Sequence, residues 1–487
     1  MKETVRTTWN NHTGNQSVTP LRICVPESVE DVIQLVREAE RLGCTVRAVG
    51  SGHAWSDVAL SAGFLLDTSR IGMAPLPVED FLRSDVESAY LVRFPAGMRL
   101  REVNAELDTR NLALSNMGGY DAQTIAGVIS TSTHGSGISY GPLCDQICSL
   151  DVVGGEGVLY RIEPTAGVTD PRLFRSKKPR QKLIQNDDWF HAVVVGMGCM
   201  GVVVSALLRV EKKYWLKEVR TLATWTGLKA QIASGRPLRE NLHYEIYFNP
   251  HPVNGQHRCL VTPRNKVPAP LDVPEDKLER HPLTEIASSI PIVARIIRLI
   301  MNREPRITPE LIDKALESLV DDEYINLSYK VLNIGAANKL PAYSMEIGIP
   351  VKNTVKAVDR IMSIAARHSE EGDVFHSAPV ALRFVKASPA FMSMMQGRDT
   401  TMIELIMAVA TEGGLEMLGG YEEALYDLGG RPHWGQINYL SGGHRQLQAM
   451  YPRYEKWLEI RRRIDPHGTF DGPFSKRVGI SQRAFAH

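Results

Sequence analysis

The sequence predicts an α+β protein of two domains, on three observations. The chain has 487 residues, more than one hydrophobic core usually supports. Its first part alternates strand and helix signals. Its second part sets strand-like runs between long helical stretches, the order expected of an antiparallel sheet with helices packed on it. The boundary falls at residue 212, giving domains 1–212 and 213–487.

Along the chain, LRICVP (21–26) reads as a short strand ending at Pro26. Ser28 then caps an amphipathic helix, SVEDVIQLVREAERLG, with Glu30 early and Gly43 as its stop. TVRAVGSGH reads as a strand running into a glycine turn, and GFLLDTS, AYLVRFPAG and SLDVVGGEGVLYRIEP read as further strands. MRLREVNAELDTRN is a helix, and VVVGMGCMGVVVSALLRVEKK is a glycine-jointed apolar segment that ends the first domain in a strand. In the second domain HYEIYFNP, YSMEIGIPV and PVALRFVKA read as strands, and VKAVDRIMSIAARHS and TTMIELIMAVATEGG as helices. Residues 262–310 read as an insert. Its apolar ASSIPIVARIIRLIM reads as a helix packed on the second domain, in preference to a lid or a membrane-surface anchor.

The hydrophobic share of 43% and charged share of 23% are those of an ordinary globular protein. A formal net charge of +1 argues against nucleic acid or a membrane surface as the main partner and favours small, near-neutral molecules. The six cysteines (Cys24, Cys44, Cys144, Cys148, Cys199 and Cys259) are scattered in apolar surroundings and read as free thiols. Cys144 and Cys148 are too far apart for a CxxC pair, and no metal site is expected. The first residues lack a signal peptide's apolar core, and no run reaches the ~20 apolar residues of a membrane span, so a cytoplasmic protein is expected. The N-x-S/T triplets at Asn11, Asn15 and Asn326 then carry no meaning.

Chemistry concentrates in three glycine-rich segments. In RAVGSGHAWSD (47–57), Gly50 and Gly52 flank Ser51, so backbone amides can approach a diphosphate closely, with His53 directly after. The spacing is not the GxGxxG of a dinucleotide-binding helix. In QTIAGVISTSTHGSGISYGPLCDQICSLDVVGGEG (123–157), small residues and hydroxyls can cradle a large polar ligand. VGMGCMGVVV (195–204) is a further tight glycine joint. Taken alone, each has a plain reading as a turn or a loop.

In this order, the three segments resemble the FAD domain of the vanillyl-alcohol oxidase superfamily. Within it the chain is most similar to the aldonolactone oxidoreductase group, which contains L-gulono-1,4-lactone, D-arabinono-1,4-lactone and alditol oxidases. MEIGIP (345–350), RPHWGQ (431–436) and YPRYEKWLEIRRRIDPHGTF (451–470) carry the resemblance through the second half. It implies an FAD domain followed by a substrate domain, with the tail 431–487 returning to the flavin. It implies FAD held covalently through His53, with Val49, Gly50, Ser51, Gly52 and Ser56 on the first loop. Gly118, Thr124, Gly127, Ser130, Thr133, His134, Gly135 and Gly137 follow on the second segment, and Gly201 and Val202 on the third. A second flavin bond through Cys144 or Cys148 is not implied.

The same resemblance implies oxidation of a CH–OH group, for which sugar-oxidising members carry a Glu-x-Arg pair on a strand and a lysine in an HWxK tail. Here Arg383 matches the arginine, but Ala381 stands at the glutamate position and Gln436 at the lysine; Gly119 replaces the serine of the alditol enzymes. Arg383 is the expected electrostatic stabiliser and Gln436 part of the catalytic set. Glu346 and His433 are the candidate bases, with His376 and Lys386 behind them. The lost polyol-binding groups widen the expected substrate to a sugar lactone, a polyol or a bulkier alcohol. Gly118 lies where a methyl group goes with poor oxygen use, so O2 is the expected acceptor, giving hydrogen peroxide. A dehydrogenase passing electrons to a carrier, and a flavin-binding protein without sugar-oxidase activity, are the alternatives.

Overall fold

The computed structural model describes residues 2–72, 74–76, 80–270, 301–334, 342–409 and 411–483. Its first 209 residues are built mainly on two sheets, of four and five strands. In the smaller, the strands run in the order Lys2–Val5, Arg22–Val25, Phe64–Asp67, Val46–Val49, the last three mutually parallel. Parallel neighbours need a crossover, which the Val29–Arg41 helix supplies. Its start is a capping box: Ser28 Oγ accepts from Asp31 N at 3.1 Å while the Asp31 carboxylate accepts from Ser28 N at 3.3 Å. Asp31 rather than Glu30 thus completes the box.

The second sheet is ordered Lys182–Gln185, Leu159–Glu163, Ile147–Val153, Val202–Arg209, Leu91–Pro95. SLDVVGGEGVLYRIEP is therefore two strands of a hairpin, turned through Glu156 and Gly157 at φ 58° and 63°. The strands of this sheet cover the largest hydrophobic core, to which Trp434, Tyr451, Tyr454, Trp457 and Phe474 of the tail also belong. The tail thus packs on the first part of the chain, and Val46 N donates to Thr469 O at 2.8 Å.

From residue 215 onward the chain builds one antiparallel eight-stranded sheet, in the order Asp321–Leu327, Trp215–Thr224, Arg258–Val267, His243–Phe248, Val380–Val385, Thr400–Ala408, Ala342–Pro350, Arg431–Pro432. One face packs on the Thr354–Gly372 and Gly414–Tyr426 helices through Ile347, Leu382, Ile403 and Leu405. The expected α+β architecture is observed.

Two expectations are corrected. TTMIELIMA is a strand, not a helix: Thr400–Ala408 pairs on both sides, and its run of apolar and β-branched residues fits a doubly covered strand as well as a helix. Residues 262–267 are no insert either, because they continue the Arg258–Val267 strand. The apolar stretch 287–301 lies, except for its last residue, outside the described residues. All six cysteines are free thiols. Among the described residues no helix is long and apolar enough to cross a membrane.

The other face of the large sheet carries a row of charge. Arg264 donates from Nε to Glu218 Oε2 at 2.5 Å and from Nη2 to Glu245 Oε2 at 2.9 Å, and Arg383 Nε donates to Glu245 Oε1 at 2.8 Å. Glu218, Arg264 and Glu245 are 1–4% exposed. Burial resists charging Arg264, yet Glu218 and Glu245 hold its pKa above the ordinary value. Removing one member leaves buried charge without a partner, which costs about 3–5 kcal/mol. Arg264→Ala is therefore expected to lower unfolding stability by about that amount in a denaturant titration. Arg236→Ala, which breaks an exposed pair with Glu240, is expected to leave the midpoint unchanged.

Candidate active site

The three glycine-rich segments and the C-terminal tail meet in one cleft. Its lining includes the 48–55 loop, Thr124, Gly127, Ser130 and Thr133 of the small-residue segment, Gly198 and Gly201, and His433, Gly435 and Gln436 from the tail. The walls stand close because glycine permits it. A Cβ on Gly50 would sit 2.0 Å from Thr124 Oγ1, and one on Gly201 2.5 Å from Val153 O. Thr124 is itself held as the N-cap of the Ile125–Ser130 helix.

A short N-terminal hairpin, Trp9–Asn10 with Ser17–Val18, sets the orientation of the first loop. His12 N donates to Gly52 O at 2.8 Å, Asn11 Nδ2 to Ala54 O at 2.9 Å, and Asn15 Nδ2 to Trp55 O at 2.8 Å. Those carbonyls are thereby engaged by the hairpin. The tail fastens the same loop: Trp55 N donates to Gly435 O at 2.8 Å and Ser56 Oγ to Trp434 O at 2.6 Å. His53 sits half-buried between His12 and Tyr120, with ring centroids 4.3 and 4.9 Å away. Burial foremost, then His12, Arg99 and Arg101, push its pKa down to about 4, so the imidazole is neutral near pH 7.

Beside the cleft lies a dry polar cluster. His134 Nε2 meets Glu346 Oε2 at 3.2 Å, and its Nδ1 meets Gly135 O at 2.8 Å. Since Nδ1 donates to that carbonyl, the contact between Nε2 and the carboxylate requires a shared proton. Burial disfavours ionising Glu346, but His134 more than compensates and holds the carboxyl below its ordinary range. His433 Nδ1 accepts from Gly435 N at 3.0 Å, and burial lowers its pKa to about 4. Donor atoms of His134, Glu346 and His433 lie within 4.8 Å of one another, a spacing that a cation can bridge. The hydrogen bonds argue against one: with Nδ1 accepting, neutral His433 carries its proton on Nε2 and has no free lone pair for a metal.

Arg383 is not a surface residue. Its side chain is 14% exposed, Nη2 meets Glu404 Oε2 at 3.3 Å, and it lies 3.7 Å from where a Cβ of Gly119 would be. Burial resists its charge, yet Glu404 and Glu245 hold its pKa well above the ordinary value. His376 is buried with neither ring nitrogen partnered, in contact with Tyr421 and away from this cluster, and Lys386 is exposed.

Of the residues expected at the cofactor, Val49, Gly50, Ser51, Gly52, His53, Thr124, Gly127, Ser130, Thr133 and Gly201 line the cleft, as do His433 and Gln436. Ser56, Gly118, His134, Gly135, Gly137 and Val202 do not. Val202 points into a core while Val203 faces the cleft, the alternation of a strand. Gly135 is packed against Asn116 and Met117, and Gly137 N donates to Phe384 O at 2.6 Å, so both join segments rather than line the cleft. Gly118 has no left-handed φ: it needs to be small because a Cβ would meet Thr133 Cγ2 at 3.1 Å. The sequence reading missed Trp55, Gln123, Thr131, Met197 and Gly198 on the lining, all within the glycine segments, and Gly435 in the tail. It also missed Glu404, on the strand read as a helix.

The cleft fits FAD in kind. Ser51 Oγ and Gln436 Oε1, both on lining residues, are buried without partners and await a polar ligand. Residues 20–163 match the model of an FAD binding domain, and residues 206–478, more than half of the chain, match the D-arabinono-1,4-lactone oxidase model. The chain belongs to the D-arabinono-1,4-lactone oxidase family. This family member is an FAD-linked oxidoreductase. It is 26% identical to the L-gulono-1,4-lactone dehydrogenase of Mycobacterium tuberculosis over 96% of this chain and 98% of that one. It is 24% identical to the L-gulonolactone oxidase of Bos taurus over 93% and 94%. Among solved structures, the cholesterol oxidase of B. sterolicum shares its fold, with TM-score 0.77 at 14% identity over 98% and 97% of the two chains.

Because Gly50 has no room for a side chain, Gly50→Ala must displace Thr124 and close the cleft. The purified variant is expected to carry markedly less FAD, read as visible flavin absorbance per protein.

Proposed function

We propose that this chain oxidises a CH–OH group of a sugar lactone, a polyol or a bulkier alcohol, holds its FAD covalently through His53, and passes the electrons to O2 as hydrogen peroxide. The observation that carries the reading is one cleft lined both by His53 and by His433 and Gln436, with Arg383 and Glu346 close behind. In this reading residues 1–212 hold the flavin, residues 213–487 form the substrate side, and the 431–487 tail returns to the cofactor. Six free thiols are consistent with a reducing compartment, the cytoplasm.

Bound FAD supplies a hydride acceptor; the chain's residues supply position, charge and proton transfer. Ser51, between Gly50 and Gly52, offers hydroxyl and amide groups to the diphosphate. The neutral imidazole of His53 has a ring lone pair free to form a bond, which a protonated one would lack. Arg383, fixed in a dry site by Glu245, would stabilise the negative charge that builds on the flavin or on the substrate oxygen during hydride transfer far more than it would in water.

The names of the relatives support the lactone substrate and divide over the acceptor, the mycobacterial one being a dehydrogenase and the bovine one an oxidase. The O2 reading rests on Gly118, which carries no methyl group at the position where the resemblance links one to poor oxygen use. A carrier-linked dehydrogenase is the second reading.

Protein precipitated in acid is expected to keep its flavin, and His53→Ala to release it; loss of all flavin from the parent on denaturation would exclude the covalent bond. Gly118→Ala is expected to slow reoxidation by O2 more than reduction by substrate in stopped-flow traces. Parent enzyme that stays reduced for minutes in air would identify the dehydrogenase instead.

A further inference from the structure

Ala381 and Glu404 are directly opposed partners of the antiparallel strands Val380–Val385 and Thr400–Ala408. Opposed residues put their side chains on one face, with Cβ atoms about 4.5–5.5 Å apart. Arg383, two residues from Ala381, shares that face. The Glu404 carboxylate therefore reaches over the Ala381 methyl to the guanidinium, with Oε2 3.3 Å from Arg383 Nη2 and Oε1 accepting from Ser344 Oγ at 3.0 Å. Its side chain is 15% exposed, whereas Glu218 and Glu245 are 1% and Glu346 3% exposed. Of the four carboxylates in this row, Glu404 is the most exposed.

We infer that Glu404 is the catalytic base of this site, taking the hydroxyl proton of a bound, uncharged alcohol or lactone from the strand beside the one where Ala381 leaves no carboxylate. The inference rests on the oxidoreductase reading above. As the substrate's C–H bond breaks, its hydride carries two electrons to the FAD, its O–H proton passes to Glu404, and the C–O bond becomes a carbonyl. Glu404 then returns the proton to solvent.

The alternatives are worse placed. Glu245 lies between Arg264 and Arg383, which outweigh burial and hold it at about 2. Glu346 is committed to His134, and His433 has Nδ1 engaged by Gly435. Burial above all, with Glu346 and Glu245 adding to it, raises the Glu404 carboxyl above the ordinary range, against the pull of Arg383 and Ser344. Tyr247 also faces this group. A base so raised lies closer to neutral pH, where proton transfer is most effective. The same surroundings disfavour a carboxylate-bearing substrate, which would be placed beside the Glu404 carboxylate.

The test uses the FAD-loaded protein with L-gulono-1,4-lactone, D-arabinono-1,4-lactone, xylitol and a sterol as reductants under anaerobic conditions. Glu404→Gln is expected to reduce its flavin about a hundredfold or more slowly while still binding FAD. The parent's rate should rise with pH through the raised carboxyl, and that limb should vanish in Glu404→Gln. Glu404→Ala combined with Ala381→Glu should recover about tenfold or more over Glu404→Ala alone, because the carboxylate returns from the opposite strand. Infrared titration, which needs no turnover, should show a carboxylic acid band persisting above the ordinary glutamate range and missing from Glu404→Gln. Parental reduction rates in Glu404→Gln, or an infrared titration identical to the parent's, would overturn the inference. Failure of the parent to be reduced by any of the four would instead count against the oxidoreductase reading, with the infrared titration still deciding where the proton resides.

Discussion

A charge buried in a protein must be paired, and the arrangement around Arg383 follows from that constraint. Its guanidinium can remain charged in a nearly dry sheet only because Glu245 and Glu404 flank it from the two neighbouring strands. Glu245 in turn needs Arg264, and Arg264 is shared with Glu218, so the row extends across five strands. Each member is placed by strand register. A slip of one residue in any of those strands would turn its charge to the opposite face, into the apolar packing of Ile347, Leu382 and Ile403. The row therefore specifies register as well as charge.

The cleft depends on a second constraint, that every backbone group near a tight loop needs a partner. The N-terminal hairpin engages carbonyls of residues 52, 54 and 55, and the tail accepts from Trp55 N and Ser56 Oγ. Segments more than 370 residues apart in sequence, at Ser56 and Trp434, thus hold one loop in one conformation. Close approach then does the rest: Gly50 against Thr124 and Gly201 against Val153 leave a slot into which only glycine backbones fit. Ser51 Oγ and Gln436 Oε1 are the unpaired groups this construction leaves on the lining.

Much of this was legible in the chain. The Ser28 cap, the strand before Gly50, the glycine joint at residues 195–201 and the strands around Glu346 and Arg383 follow from local patterns that tertiary contacts did not override. The TTMIELIMA segment was not legible, because a short run of apolar and β-branched residues has no periodicity that separates a covered strand from a buried helix. Reading it as a helix hid Glu404, whose proximity to Arg383 exists only through strand pairing. His12 and Tyr120 were invisible for a similar reason: each meets His53 through a ring contact between separate segments.

By itself, then, the sequence determined where the chain can turn tightly, which segments are apolar enough to pair or pack, and which residues carry reactive groups, since these are properties of single residues and their near neighbours. Tertiary structure alone decided which of those groups meet. It turned Val203 rather than Val202 toward the cleft, committed Glu346 to His134, and brought Glu404 to the arginine across from Ala381. Distance, burial and the charge of a neighbour are set by register and packing between strands far apart in the chain, and no local pattern encodes them.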